Sequence, residues 1–144
     1  MSKDGLPHEA ARIRIRRVVG WADTDASGHY QFQTVFRWLM EAESELHSGL
    51  GIVKDTHGSS PRLHVEADYL DRLWFQDEVA FDLVVERVGR TSLTYAFQAI
   101  KGTQPAVRGK LVVAYLPHDA DAAAPWPDAI RQKLSEGGAV ESTT

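Results

Sequence analysis

The amino-acid sequence predicts an α+β domain in which one long helix packs into a curved antiparallel sheet. Three observations lead there. Apolar residues recur at helical spacing from Phe32 to Leu50. A β-branched, alternating segment precedes that helix. Four more segments of strand character follow it, the last three separated by turn motifs.

The 144 residues suit one domain able to bury its own core. The first ten, MSKDGLPHEA, are polar, carry no signal-peptide pattern and are expected to be flexible. Ile13 to Trp21 reads as a strand. In the run RIRIRR (Arg12 to Arg17) the arginines form its solvated face, alternating with Ile13 and Ile15. The loop ADTDASGHYQ comes next. A helix is predicted over Phe32 to Leu50, with Gly49 and Gly51 available for a left-handed terminal cap. At about 100° per residue, Phe32, Val35, Phe36, Leu39, Leu46 and Leu50 share one face of this helix. Glu43 falls near the middle of that face, with Met40 and His47 at its flanks.

After the loop DTHGSSP, strands are predicted over 62–70, 78–88, 92–100 and 106–116, arranged as an antiparallel meander. GRT and KGTQP supply turns. PDAIRQKLSE opens with Pro127 and Asp128 and reads as a short terminal helix. From Gly137 onward the tail GGAVEST reads as frayed. The organisation is thus a single domain over 11–136, flanked by flexible segments 1–10 and 137–144. An antiparallel sheet covered on one side leaves a face or an edge for a second copy.

Composition excludes several chemistries. The chain has no cysteine, so disulfides, zinc–thiolate sites and cysteine nucleophiles are impossible. The absence of cysteine agrees with a reducing, cytoplasmic setting. No run of about 18 apolar residues occurs, so membrane insertion is not expected. A net charge of −4 argues against a nucleic-acid partner. The motifs GxSxG, HExxH, GxGxxG and the P-loop are missing. The six histidines show no tight ligand spacing, and no metal site is expected.

What remains is WADTDASGHYQFQTVFRWLMEAE, from Trp21 to Glu43, which sets Asp23 and Asp25 ahead of the helix. Asp, Ser and Gly are common turn residues. But the first-turn N–H groups of a helix lack partners and sit at the positive end of its dipole. They can hold an oxyanion. A carboxylate seven residues upstream of Phe32, on a loop made pliable by Gly28, can fold back over the same point. A carboxylate and an oxyanion hole around one carbonyl are the minimum for acyl transfer.

DTDASG between a strand and a long helix resembles the 4-hydroxybenzoyl-CoA thioesterase family of hotdog-fold proteins. FRWLMEAE looks like the family's helix. VEADYLDRLWFQDEV looks like its strand entry, ERVGRTSLTYAF like its hairpin and PWPDAIRQKL like its terminal helix. The resemblance implies a hotdog fold, one helix wrapped by an antiparallel sheet. It implies a homodimer or homotetramer with acyl-CoA at the dimer interface, and no cofactor, since CoA is part of the substrate. Asp25 takes the family's catalytic position, as nucleophile or as general base, and Asp23 becomes a turn or strand-end residue. The thioester carbonyl falls to the backbone N–H of Phe32. Gly28, Gln31 and Thr34 are then substrate contacts, and Arg90, with Thr91 and Ser92, meets the CoA phosphates.

The departures from the family pattern sit at Phe32, Thr34, Val35 and Met40, where relatives carry polar or differently shaped side chains. His29 and Tyr30 are the nearby groups that can donate a proton in compensation. Glu43, about 16 Å along the helix from Phe32, reads either as a paired carboxylate at a contact or as one reaching across a dimer. Trp74 and Phe75 either line an acyl pocket or pack in the core or at an interface, and packing is the simpler reading. The leading expectation is an acyl-CoA thioesterase. The alternative is a non-catalytic hotdog protein that binds an acyl-CoA or aromatic ligand. A hotdog dehydratase, needing His29 as its base, ranks third.

Overall fold

The computed structural model describes residues 9–30 and 32–144. Gln31, expected to touch substrate, and the first eight residues lie outside the described residues. The strands are β1 (Arg12–Val18), β2 (Arg62–Tyr69), β3 (Glu78–Val88), β4 (Ser92–Lys101), β5 (Gln104–Ala114) and β6 (Ala139–Val140). The helices are α1 (Thr34–Leu50), α2 (Val53–Thr56) and α3 (Asp128–Glu136). A single 3-10 turn spans Trp21–Asp23.

The sheet runs β2-β5-β4-β3-β1-β6. Only β3, β4 and β5 form the expected meander. β2 pairs with β5, not β3, so the chain passes from the β2 edge over the positions of β5 and β4 before entering β3. β3 in turn closes on β1, with Ile13 opposite Leu83 and Ile15 opposite Phe81. Those four side chains are buried and form one wall of the core. Their period-two alternation with Arg12, Arg14 and Arg16 puts the arginines on the outer face, where Arg14 pairs with Asp82 at 2.6 Å.

Val35, Trp38, Leu39, Ala42 and Leu46 make the buried face of α1, with Trp38 and Ala42 fully covered. This face is rotated from the predicted one toward Trp38 and Ala42. The helix begins at Thr34, two residues later than expected, and Phe32 stands outside it at 67% exposure. Gly51 at φ 74° caps the C-terminus, its N–H reaching His47 and Ser48 carbonyls. The apolar interior joins this helix face to Phe81, Leu83, Tyr95, Phe97 and Leu111 of the sheet.

The C-terminal segment differs from its expectation as a loose tail. β6 runs parallel beside β1, pairing Arg12 with Ala139 and Ile13 with Val140. Val140 sits against Gly49 of α1, where a β-carbon on Gly49 would collide with the Val140 side chain. Beyond it, Ser142, Thr143 and Thr144 close onto the Glu45 carboxylate. Gly137 and Gly138, which open the tail expected to fray, here turn the chain from α3 into the sheet edge. The predicted terminal helix is α3, held over the β3–β4 hairpin by Arg131 to the Val88 and Gly89 carbonyls.

Candidate active site

The loop between β1 and α1 is a closed turn. The Gly28 N–H donates to the Asp25 carbonyl at 3.0 Å, the Asp25 N–H to the His29 carbonyl at 3.1 Å, and Thr24 bridges Tyr30. Gly28 has φ +90°, a conformation that costs a side chain-bearing residue and suits glycine. Its role is to shape the turn; it does not line the cleft beside it. The loop is tied to the segment ahead of β3 by Tyr30 N–H to the Leu73 carbonyl at 2.8 Å and by a His29–Trp74 bridge.

That geometry presents Asp25 at the surface. Its Oδ1 accepts from the Ser27 hydroxyl at 2.5 Å and from the Ser27 N–H at 2.8 Å. These bonds, the hydroxyl first, hold the carboxyl below the usual aspartate range, with a smaller contribution from His29. The group is therefore an anion at neutral pH. Asp23 has the opposite character. It is buried, accepts the Gly20 N–H at 2.8 Å and pairs with Arg37 at 2.7 Å, so it locks the loop to α1.

Asp25, His29, Tyr30, Phe32, Tyr69, Leu70, Asp71 and Arg72 line one open cleft of about 600 Å³. The Tyr69 hydroxyl donates to the Phe32 carbonyl at 2.6 Å and fixes that peptide. The Gln33 side chain, at the N-cap of α1, makes no capping hydrogen bond, and the first turn holds no acidic residue. Phe32, in the turn before the helix rather than in its first turn, still lines the cleft beside Asp25.

Other expected residues fall elsewhere. Thr34 is buried, and its hydroxyl donates to the Asp23 carbonyl at 3.3 Å, a structural bond rather than a substrate contact. The Tyr30 ring stacks on Trp38, and its hydroxyl is buried without a partner among the described residues. Burial, and then Tyr69 and Asp71, push that phenol well up, so it keeps its proton. His29 lines the cleft edge, with Nδ1 3.1 Å from the Tyr30 carbonyl oxygen. Arg90, Thr91 and Ser92 form the β3–β4 hairpin, a full β3 length (roughly 33 Å) from the end that adjoins the Asp25 loop. There the Trp126 indole donates to the Ser92 carbonyl at 3.0 Å. Trp74 and Phe75 are exposed, against His29 and Trp21, not in the core.

Sequence reasoning missed Tyr69 and Arg72 as cleft residues. The signal was the Tyr of VEADYL, but only tertiary pairing brings the end of β2 to the start of α1. It also missed how Glu43 is held. Arg62 grips it with two guanidinium nitrogens, and Glu43 is buried. Beside it the His47 ring is buried, with Nε2 2.5 Å from the Tyr95 hydroxyl and Nδ1 2.9 Å from Thr56 Oγ1. Thr56 spends its proton on the Ile52 carbonyl, so His47 Nδ1 is the donor and Nε2 accepts from Tyr95. Burial lowers the His47 pKa, which favours the neutral ring. Among the described residues no group of three or more His, Asp or Glu side chains is placed to hold a metal ion.

A family model described as the thioesterase-like superfamily matches residues 19–134. A 1,4-dihydroxy-2-naphthoyl-CoA hydrolase from Prochlorococcus marinus is 30% identical over 100 residues, 60% of this chain and 64% of its own length. The matched stretch thus spans just under two thirds of that relative. A predicted thioesterase from Bacillus stearothermophilus superposes with a TM-score of 0.80 at 25% identity, covering 89% of this chain and 97% of that one. A thioesterase from Thermus thermophilus, complexed with coenzyme A and Zn, has a TM-score of 0.77 at 25% identity. It covers 86% of this chain and 93% of that one. The fold is the hotdog of these neighbours.

Proposed function

Because the chain belongs to the thioesterase-like superfamily, we propose that it hydrolyses an acyl-CoA thioester in the Asp25 cleft. The observation that carries this reading is the ionised, exposed Asp25 carboxylate sharing one cleft with Phe32, which lies just ahead of α1. The carbonyl oxygen of the thioester docks toward the Phe32 N–H and the positive end of α1. An Asp25 oxygen attacks the carbonyl carbon, the tetrahedral oxyanion collapses, and the C–S bond breaks. CoA leaves as thiolate and takes a proton from water or His29. Water then hydrolyses the mixed anhydride, releasing the acid and restoring the carboxylate.

An aromatic, hydroxyl-bearing acyl group is the substrate class we favour. What supports it is the name of the Prochlorococcus relative, and CoA itself is supported by the ligand of the Thermus thermophilus neighbour. The active form in this reading is a dimer joined through β2. That strand is a sheet edge with Val65 and Tyr69 exposed on its helix-facing side. An antiparallel two-fold pairing centred on Val65 sets His64 opposite Glu66, so opposite charges meet. It also reverses the ends of the sheet, which brings the Arg90 hairpin of one copy toward the Asp25 cleft of the other. The test is a panel of aroyl- and alkanoyl-CoAs, with thiol release followed by a disulfide reagent. Turnover of hydroxylated aroyl-CoAs supports the reading; calorimetric binding of CoA esters that stay intact favours a non-catalytic binder instead.

A further inference from the structure

Tyr69 reaches the Phe32 backbone from the sheet. It is the last residue of β2, in register with the buried Val107 of β5, which puts its side chain on the helix-facing side. Just beyond it the chain is clamped, since the Leu70 and Asp71 N–H groups both donate to the Ala106 carbonyl, at 2.8 and 3.2 Å. The Tyr69 ring lies 6.2 Å from the Tyr30 ring between centroids, and Tyr30 is stacked on the fully buried Trp38. Strand pairing therefore sets where the Tyr69 ring stands, and the aromatic row sets how it leans. Its hydroxyl is aimed at one point and is spent on the Phe32 carbonyl at 2.6 Å. Burial holds this phenol above its ordinary pKa, so the donor proton stays in place at neutral pH.

Phe32 has reason to be held from outside. On one side of it the Tyr30 N–H is tied to the Leu73 carbonyl at 2.8 Å. On the other, α1 begins at Thr34, whose hydroxyl bonds the Asp23 carbonyl. Phe32 itself precedes the helix with its side chain exposed, so packing of its ring does little to fix its backbone. The Tyr69 bond supplies a constraint. A peptide is planar, so a carbonyl held at its oxygen fixes the plane that contains its own Cα. The N–H on the other side of that Cα is then limited in how far it can swing. In the hydrolysis described above, this N–H takes the charge that develops on the thioester oxygen. Such a donor works by direction, because it must point where the oxyanion forms and not where the ground-state carbonyl lies. A group that keeps it aimed acts on the transition state and little on ester binding.

Resting on the thioesterase reading, we propose that Tyr69 is a positioning residue, whose hydroxyl holds the Phe32 carbonyl so that the Phe32 N–H stays aimed at the oxyanion formed when Asp25 attacks. Its one hydroxyl proton goes to Phe32, so Tyr69 gives none to the leaving thiolate. The sheet frame, through β2 and β5, thereby sets the geometry of a loop it does not contain.

The test is Tyr69→Phe, which removes the hydroxyl alone and keeps the ring against Tyr30. On a hydroxylated aroyl-CoA its kcat should fall about 10-fold or more while KM stays within about 3-fold. A smaller fall in kcat, or a loss carried by KM, overturns the proposal. A second readout follows the carbonyl itself. The infrared band of an aroyl-CoA labelled with ¹³C at the thioester carbonyl is recorded bound to Asp25→Asn, which does not turn it over. Polarisation by the Phe32 N–H shifts that band below its position in water, and adding Tyr69→Phe should return it toward the water value. This readout comes from bound ester only, so a partly unfolded variant does not distort it. A band that stays shifted in the double variant overturns the positioning role. A wild-type protein with no turnover on any acyl-CoA defeats the thioesterase reading itself, a result separate from an active enzyme indifferent to Tyr69→Phe.

Discussion

Ser27 turns both its donors onto one oxygen of Asp25, the N–H at 2.8 Å and the hydroxyl at 2.5 Å from Oδ1. Asp25 Oδ2 accepts no hydrogen bond among the described residues, so the turn that stabilises the anion leaves one oxygen available to attack. Asp25 and Ser27 both lie in a loop whose residue types alone also suit an ordinary turn. Its chemistry follows from which oxygen the turn occupies.

Ser27→Ala removes the hydroxyl and keeps the N–H bond. The Asp25 pKa is depressed chiefly by that hydroxyl, so the variant's carboxyl titrates higher. Activity that needs the anion falls on the acid side. The acid limb of the kcat/KM profile should move to higher pH in Ser27→Ala, while rates above about pH 6 stay within a few-fold of wild type. Coincident acid limbs would show that Ser27 does not tune the carboxylate.

Tyr30→Phe deletes a buried hydroxyl that has no partner among the described residues. Removing an unsatisfied polar group should stabilise the fold by about 1 kcal/mol, read as a higher urea midpoint with unchanged slope. Hydrolysis should persist in the variant. A large loss of kcat would instead restore Tyr30 as a proton donor.

Arg62→Ala strands the Glu43 carboxylate in a buried setting. With Arg62 partly exposed, the cost is about 1–3 kcal/mol, below that of a fully enclosed pair. Glu43→Gln with Arg62→Gln should cost less than Arg62→Ala alone. Denaturant curves for the single and double variants check this ordering.

The C-terminal segment gives an acid-dependent contribution. Glu45 Oε1 accepts from the Ser142 hydroxyl at 2.9 Å and the Thr143 N–H at 2.9 Å, and Oε2 from the Thr144 hydroxyl at 2.7 Å. Burial alone would raise this carboxyl, but the Thr144, Thr143 and Ser142 bonds outweigh it and hold the pKa at about 2, against an ordinary 4.5. The folded pKa lies below the unfolded one. The stabilisation is therefore complete above the unfolded value and is lost as pH falls from about 4.5 to about 2. Glu45→Gln should flatten the fall in melting temperature across that window. An unchanged slope would mean the tail bonds do not form in solution.

Much of the fold was legible because its signals are local. The Ile13 and Ile15 alternation, the α1 periodicity and the GRT hairpin each depend on neighbours in sequence. The place of β2 was not legible, since its alternation marks a strand without saying which edge it joins. Nor was β6, whose burial depends on Gly49 leaving room for Val140. At the site, Asp25 and Phe32 were legible from loop chemistry and from resemblance. Tyr69 was not, being 37 residues from the carbonyl it bonds. Thr34 misled because its hydroxyl is spent on the Asp23 carbonyl, a bond that requires the folded loop. Arg90 looked like a substrate contact in sequence, but the sheet places it at the far end of β3 from the cleft.

The central claim is that Asp25 attacks the thioester. Steady-state hydrolysis of a hydroxylated aroyl-CoA by wild type and Asp25→Asn tests it most directly, with circular dichroism to show that both are folded. The account predicts that Asp25→Asn loses about 10³-fold or more in kcat while still binding the ester. A folded Asp25→Asn variant turning over at the wild-type rate would contradict it.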